Sequence, residues 1–228
     1  MAPRIGLTTS YEAGEQRLPR RYVRAVDAAG GAPILLPMGS ARAQRAAVAL
    51  IDGLLVPGGP AVSDGLVGTL PGDLSPLDLV RADSDRLYLR ESMARGLPVL
   101  GICYGMQRLN AMLGGTIYGD VEQQCDGAAP HSQKRGATQH PIHIEETSRL
   151  YRALQKSTVR VNTRHLQAVA SVGQNLRIAA TSPDGVVEAI EHVSEWMVGV
   201  QFHPERMGAA MQPLFDAFVQ HAAQTAAA

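Results

Sequence analysis

Short apolar runs rich in valine, isoleucine and leucine alternate with longer stretches of helical period in the first half of the chain. "RIGLTT", "APILLP", "GLLVPG" and "LPVLGIC" are too short and too uniformly apolar for surface helices and read as buried strands. Between them, roughly Leu18 to Ala29, Ala41 to Ile51 and Leu77 to Ala94 carry apolar residues at helical spacing. Strand alternating with helix predicts βαβ units and a mostly parallel sheet covered on both faces. After about Gly115 the pattern changes. "HPIHIEE", "TVRVN", "LRIAATS" and "GVVEAIE" read as shorter strands, the last two joined by a turn at "SPDG", and "WMVGVQF" is a further buried strand. Met211, Leu214, Phe215 and Phe218 then mark one face of a last helix, with the alanine-rich end "HAAQTAAA" expected to fray. The expectation is one α/β domain over residues 1–228, with a mixed second half. In such sheets ligands sit outside the carboxyl ends of the strands, so the site is to be sought where strands stop.

Composition changes this picture little. At 228 residues the chain can bury a sizeable core, and 45% hydrophobic with 18% charged residues fits a globular protein. Lysine plus arginine equals aspartate plus glutamate at 21 each, which argues against nucleic acid or an anionic membrane as partner. The basic cluster "RLPRRYVR" reads as the solvated face of a helix. The start has no secretory pattern, and no apolar run approaches the ~18 residues of a membrane span. Two cysteines, Cys103 and Cys125, are too few for a disulfide scaffold, so a cytoplasmic, reducing compartment is expected.

Cys103 stands where the strand "LPVLGI" meets the helical run "YGMQRLNAML", which Gly114 and Gly115 close. G-x-C-x-G at a strand-to-helix corner is the cysteine counterpart of a nucleophile elbow. Its glycines allow a sharp turn and close packing, and the helix N-terminus favours thiolate and a later oxyanion. A small buried cysteine beside turn glycines is the competing reading. A nucleophile needs a base, and the base an orienter. "VGVQFHPE" offers both: Pro204 holds His203 extended, and in extended chain His203 and Glu205 point the same way. That is the logic of a catalytic triad. Oxyanion donors could come from the Tyr104 N–H and from Gly58 or Gly59 in "VPGGPAV".

These pieces in this order, "LLVPGGP", "GICYGMQRLNAMLGG" and "VGVQFHPE", resemble the class I glutamine amidotransferase superfamily over nearly the whole chain. The resemblance implies a flavodoxin-like three-layer sandwich and attack on a γ-glutamyl amide, with Cys103 forming a γ-glutamyl thioester, His203 shuttling protons and Glu205 orienting His203. Within the superfamily the chain looks most like the γ-glutamyl-γ-aminobutyrate hydrolase branch, through "YVRAVDAAGGAPILLP", "MQRLNAMLGGTIYGD", "VNTRHLQAV" and "SPDGVVEAIE". The branch commonly has two adjacent histidines where this chain has His165 and Leu166, and arginine where it has Tyr104; a tyrosine there is similar to glutaminase domains. The linker at roughly 61–76 is short for the branch.

Gln107 matches a position that helps bind the glutamyl part; an ordinary helix glutamine is the other reading. His165 either lines the pocket for the leaving amine or is a core histidine. A metal reading through His131, His140 and His143 is set aside, because His140 and His143 fall on opposite faces of a strand and no cysteine joins them. Three functions compete. The first is a γ-glutamyl amide hydrolase with no metal or organic cofactor, acting on a small-molecule γ-glutamyl substrate. The second is a glutaminase subunit passing ammonia to a separate synthetase, and the third a binding module with a lapsed site. A chain of this size is compatible with a homodimer.

Overall fold

The computed structural model of the chain describes residues 1–74 and 78–227. In chain order the elements are β1 (Arg4–Leu7), the hairpin β2 (Ser10–Glu12) and β3 (Glu15–Arg17), α1 (Arg20–Ala28), β4 (Ala32–Leu35), α2 (Ala41–Val48), β5 (Gly53–Val56), β6 (Leu66–Val67) and α3 (Leu79–Ala94). Then follow β7 (Val99–Ile102), α4 (Tyr104–Met112), β8 (Thr116–Tyr118), α5 (Val121–Gln124), β9 (Gln139–Ile144), α6 (Arg149–Leu154), β10 (Thr158–Asn162), β11 (Ala168–Ser171), β12 (Leu176–Thr181), β13 (Val187–His192), β14 (Met197–Val200) and α7 (Gln212–Ala227). Local chemistry sets several boundaries: Ser40, Asp78 and Ser148 each accept a backbone N–H of the first turn of α2, α3 and α6.

The main sheet runs β10-β9-β12-β13-β14-β7-β5-β1-β4. β4, β1, β5, β7 and β14 pair in parallel, an order of 2-1-3-4-5 by appearance, which is the flavodoxin-like arrangement. β13, β12, β9 and β10 extend it antiparallel. The mixed second half is therefore one wing of the same sheet. Strand alternation feeds two separate cores. Leu55 and Leu100 pack with Val26, Phe215 and Phe218 of α1 and α7 on one face. Leu54, Val56 and Val99 pack with Tyr88, Met106 and Leu109 of α3 and α4 on the other. Each fully buried leucine or isoleucine contributes about 1.5–3 kcal/mol, so a one-residue slip of β5 or β7 would be costly on both faces at once.

Some expectations need correction. The strand predicted as "RIGLTT" stops at Leu7, and the chain then forms the β2–β3 hairpin. β8 and β11 were not predicted; they pair with each other and join the sheet through Val169 and Val187. The alanine-rich end continues α7 through Ala227. Leu77, the first residue predicted for the third helix, lies outside the described residues, as do Ser75 and Pro76 of the linker and the terminal Ala228. Among the described residues no helix is long and apolar enough to cross a membrane.

Candidate active site

β7 and α4 meet at Cys103, and the sharp turn is made by the cysteine itself. Its φ is 52° and ψ −104°, a region that L side chains avoid at a cost of order 1–3 kcal/mol. Two backbone hydrogen bonds hold it there, Cys103 N–H to Val200 O at 2.7 Å and Gln107 N–H to Cys103 O at 3.1 Å. Gly101 and Gly105 have ordinary φ and serve packing instead. A Cβ on Gly101 would stand 2.7 Å from the Gly105 carbonyl, and one on Gly105 2.1 Å from the Val56 carbonyl oxygen. Glycine at both positions lets α4 lie directly on β5 and β7.

His203 follows β14, the parallel neighbour of β7. Its Nδ1–H donates to Glu205 Oε1 at 2.9 Å. The contact does not come from extended chain, because Pro204–Arg206 form a 3₁₀ turn that folds Glu205 back beneath the ring. Asn162, at the end of β10, clamps the His203 backbone, accepting its N–H at 3.0 Å and donating to its carbonyl at 2.8 Å. Burial opposes charging of the ring, but Cys103 and the Glu205 carboxylate outweigh it, and the His203 pKa is raised to about 9.

The GGP loop after β5 completes the corner. The Gly58 N–H is already engaged, donating to the Tyr22 hydroxyl at 3.1 Å, which removes it as an oxyanion donor. The His203 ring lies against Gly58, where a Cβ would stand 2.7 Å from Cε1. Gly59 is exposed and lines the cavity, leaving its N–H as the candidate donor from this loop. Arg81 fixes this segment by donating to the carbonyls of Pro57 at 3.2 Å and Gly58 at 3.1 Å. In a trans peptide the N–H opposes the C=O, so the Gly59 N–H is turned away from Arg81. Arg81 is itself buried, ion-paired to Asp85 at 3.1 Å and stacked 4.2 Å over the Tyr104 ring.

That stacking decides how Tyr104 can act. Its side chain is fully buried under Arg81, and burial raises its pKa further, so only its backbone N–H can serve chemistry. Gln107 lines the cavity, with its amide NH₂ held by Gln167 O at 2.9 Å and Gln201 Oε1 at 3.1 Å. Its Oε1 meets no donor among the described residues. Gln201 in turn donates to Cys103 Sγ at 3.5 Å. His165 also lines the cavity while being buried, its Nδ1–H donating to Gln167 O at 3.0 Å. The cavity has a volume of about 180 Å³, and Lys134 and Arg164 supply cations to its wall. Tyr22, Arg81, Asn162 and Gln201 were not singled out from sequence; each acts through a long-range contact that no local motif signals.

The candidate metal ligands divide. His143 is exposed, as strand alternation requires, whereas His140 meets His131, His165 and Glu188, and these four are the described residues that could hold a cation. Cys125 and Cys103 are free thiols.

A family model of Peptidase C26 matches residues 3–205. Protein NtpR of Enterococcus hirae is 35% identical over 211 residues, spanning 89% of this chain and 88% of that protein. Gamma-glutamyl-gamma-aminobutyrate hydrolase PuuD of Escherichia coli K12 is 32% identical over 219 residues, spanning 90% of this chain and 85% of that protein. Among solved structures, the glutaminase domain of Trypanosoma brucei CTPS with bound acivicin matches with a TM-score of 0.69 over 97% of this chain and 94% of that one. At 19% identity that likeness is one of fold. With a match over most of its length and relatives above 30% identity, the chain belongs to the Peptidase C26 family, which is class I glutamine amidotransferase-like.

Proposed function

We propose that the chain is a cysteine-dependent hydrolase of γ-glutamyl amide bonds, acting on γ-glutamyl-γ-aminobutyrate or a related γ-glutamyl-amine. The observation that supports this reading is that Cys103 and His203 follow the paired parallel strands β7 and β14, with Glu205 Oε1 accepting from the His203 ring at 2.9 Å. Cys103 Sγ, its proton already passed to His203, attacks the γ-carbonyl carbon. The N–H groups of Gly59 and Tyr104 stabilise the oxyanion, an effect worth roughly 3–4 kcal/mol per donor. His203 then gives the proton to the departing amine, leaving a γ-glutamyl thioester. Water, deprotonated by His203, attacks the thioester, and glutamate leaves as the proton returns to sulfur. No metal or organic cofactor takes part in these steps.

The name of the Escherichia coli relative supports an amide substrate of this kind. Lys134 and Arg164 on the cavity wall suit a substrate that carries carboxylates at both ends. The competing reading, a glutaminase subunit feeding a synthetase, leaned on Tyr104. That side chain is packed under Arg81 and does not line the cavity, which supports the hydrolase reading.

Glutamate release from γ-glutamyl-γ-aminobutyrate, other γ-glutamyl-amines and glutamine, measured by a coupled dehydrogenase assay, tests the proposal. A higher kcat/KM on one of the γ-glutamyl-amines than on glutamine, abolished in Cys103→Ser, is expected. Silence on every γ-glutamyl-amine with brisk glutamine hydrolysis would overturn the substrate class; activity surviving Cys103→Ser would overturn the mechanism.

A further inference from the structure

A second group of titratable side chains converges beside the catalytic cavity. His131 in the loop after α5, His140 on β9, His165 in the loop before β11 and Glu188 on β13 each bring a ligand atom within 4.8 Å of the others. Glu188 has no exposed surface, and neither of its carboxylate oxygens has a hydrogen-bond partner. Nor do the Nε2 atoms of His140 and His165. A buried carboxylate left in this way costs several kcal/mol unless something positive sits beside it.

The outer contacts fix which ring nitrogens face inward. His140 Nδ1 lies 3.0 Å from the Pro141 carbonyl and His165 Nδ1 3.0 Å from the Gln167 carbonyl. A carbonyl only accepts, so both rings carry the proton on Nδ1 and aim the Nε2 lone pair at Glu188. His131 is reversed. Its Nε2–H donates to Asp184 Oδ2 at 3.0 Å, while Nδ1 lies 3.6 Å from Glu188 Oε1 and 3.2 Å from the hydroxyl of Thr163, which itself donates to the His131 carbonyl at 2.8 Å. Two unpartnered ring nitrogens, the Nδ1 edge of His131 and a carboxylate therefore converge on one small space, an arrangement that repels itself unless cations fill it.

The spacing about Glu188 suits a single central ion, and all four donor atoms lie within 4.8 Å of one another. The three inward nitrogens stand 3.3, 3.5 and 3.6 Å from Glu188 Oε1, long for N–H···O bonds. Bonds of about 2.0–2.1 Å to a tetrahedral zinc ion place neighbouring donor atoms about 3.3–3.4 Å apart. We propose that His131, His140, His165 and Glu188 form a closed four-coordinate site for a divalent transition ion of the zinc class. Asp184 and the carbonyls of Pro141 and Gln167 supply the outer shell that orients such ligands. A cavity of about 160 Å³, lined by His131, His140, Ser182 and Asp184, gives the ion access. With all four positions taken by protein, the ion is structural. It ties two loops to β9 and β13 and, through His165, fixes one wall of the catalytic cavity.

The test uses the full chain, stripped with a chelator and titrated with Zn²⁺ and with Co²⁺. One Zn²⁺ per chain after dialysis, a Tm rise of about 5–10 °C at a hundred times Kd, and a saturable visible band of tetrahedral Co²⁺ are expected. His140→Ala and Glu188→Gln should lose the equivalent, and Asp184→Asn should bind roughly 10–100-fold more weakly. A Cys103→Ser, Cys125→Ser double variant should keep it. Wild-type protein with under a tenth of an equivalent and no saturable Co²⁺ band would overturn the proposal, with no need of any variant. Undiminished binding in His140→Ala, or loss of binding in the cysteine variant, would overturn it as well.

Discussion

Gly105→Ala gives a sharp test of how α4 sets the site. Gly105 is the second residue of α4, and an added Cβ would stand 2.1 Å from the Val56 carbonyl oxygen, 2.9 Å from its carbonyl carbon and 3.0 Å from its Cβ. The closest atoms are backbone of the buried strand β5, so no rotamer change relieves the clash. Carbon to carbonyl-oxygen contact is comfortable at about 3.3 Å, so α4 must withdraw by about 1 Å. Two effects compete. Alanine in place of glycine favours the helix by about 1 kcal/mol, while overpacking against a fixed backbone costs up to about 3 kcal/mol. The clash wins by about 2 kcal/mol, which lowers Tm by about 4–8 °C. Activity falls further, because α4 carries the Tyr104 N–H and begins at Cys103, whereas His203 belongs to the loop after β14. A displacement near 1 Å costs on the order of 10²-fold in kcat. Thermal melts and glutamate release should be compared with Gly114→Ala. Gly114 has φ 85° and open space around it, so alanine there costs about 1–2 kcal/mol of backbone strain and leaves kcat alone. Wild-type kcat in Gly105→Ala, or equal kcat losses in the two variants, would refute the packing argument.

Glu205→Gln keeps an oxygen for the His203 Nδ1–H but removes the charge. The His203 pKa should fall, read by ring NMR, and kcat should drop on the order of 10²-fold or more. His203 is raised in the folded state to about 9, from 6.5, so its contribution to stability is full below pH 6.5 and is lost as pH rises through 9. At about 1.4 kcal/mol per pH unit this is at most about 3 kcal/mol, and the Tm difference between wild type and His203→Gln should shrink from pH 6.5 to 9.5. A pH-independent difference would contradict the assignment. Arg81→Met strands the buried Asp85 carboxylate and should cost about 3–5 kcal/mol, whereas Arg81→Met with Asp85→Leu should recover most of that loss in a calorimetric melt. Failure of the double variant to recover would mean that Arg81 matters chiefly through the Gly58 carbonyl and the Tyr104 ring.

The parallel strands were legible because their residues are apolar on both faces and their ends are marked by glycine, proline or cysteine. Cys103, His203 and Glu205 stood out because each lies where such a strand stops. What sequence could not give was how the chain makes each turn. The sharp bend belongs to Cys103 and not to its flanking glycines, and Glu205 reaches His203 through a 3₁₀ turn and not through strand alternation. Gly58, a natural oxyanion donor by position, is claimed by a tyrosine 36 residues away. The histidine cluster was hidden for a related reason. Strand period correctly separates His140 from His143, but nothing in that period says that two loops and β13 bring His131, His165 and Glu188 to the same side.

β14 is inserted between β7 and β13, at the seam joining the parallel strands to the antiparallel wing. Among the described residues it is also the last strand in chain order, and the base and its carboxylate partner follow it directly. A nascent chain can carry its cysteine long before any imidazole is in place to activate it, so catalysis and closure of the sheet arrive together. Ribosome-stalled chains ending before Met197 should accordingly be both inert and loosely assembled, which ties the onset of hydrolysis to the completion of folding.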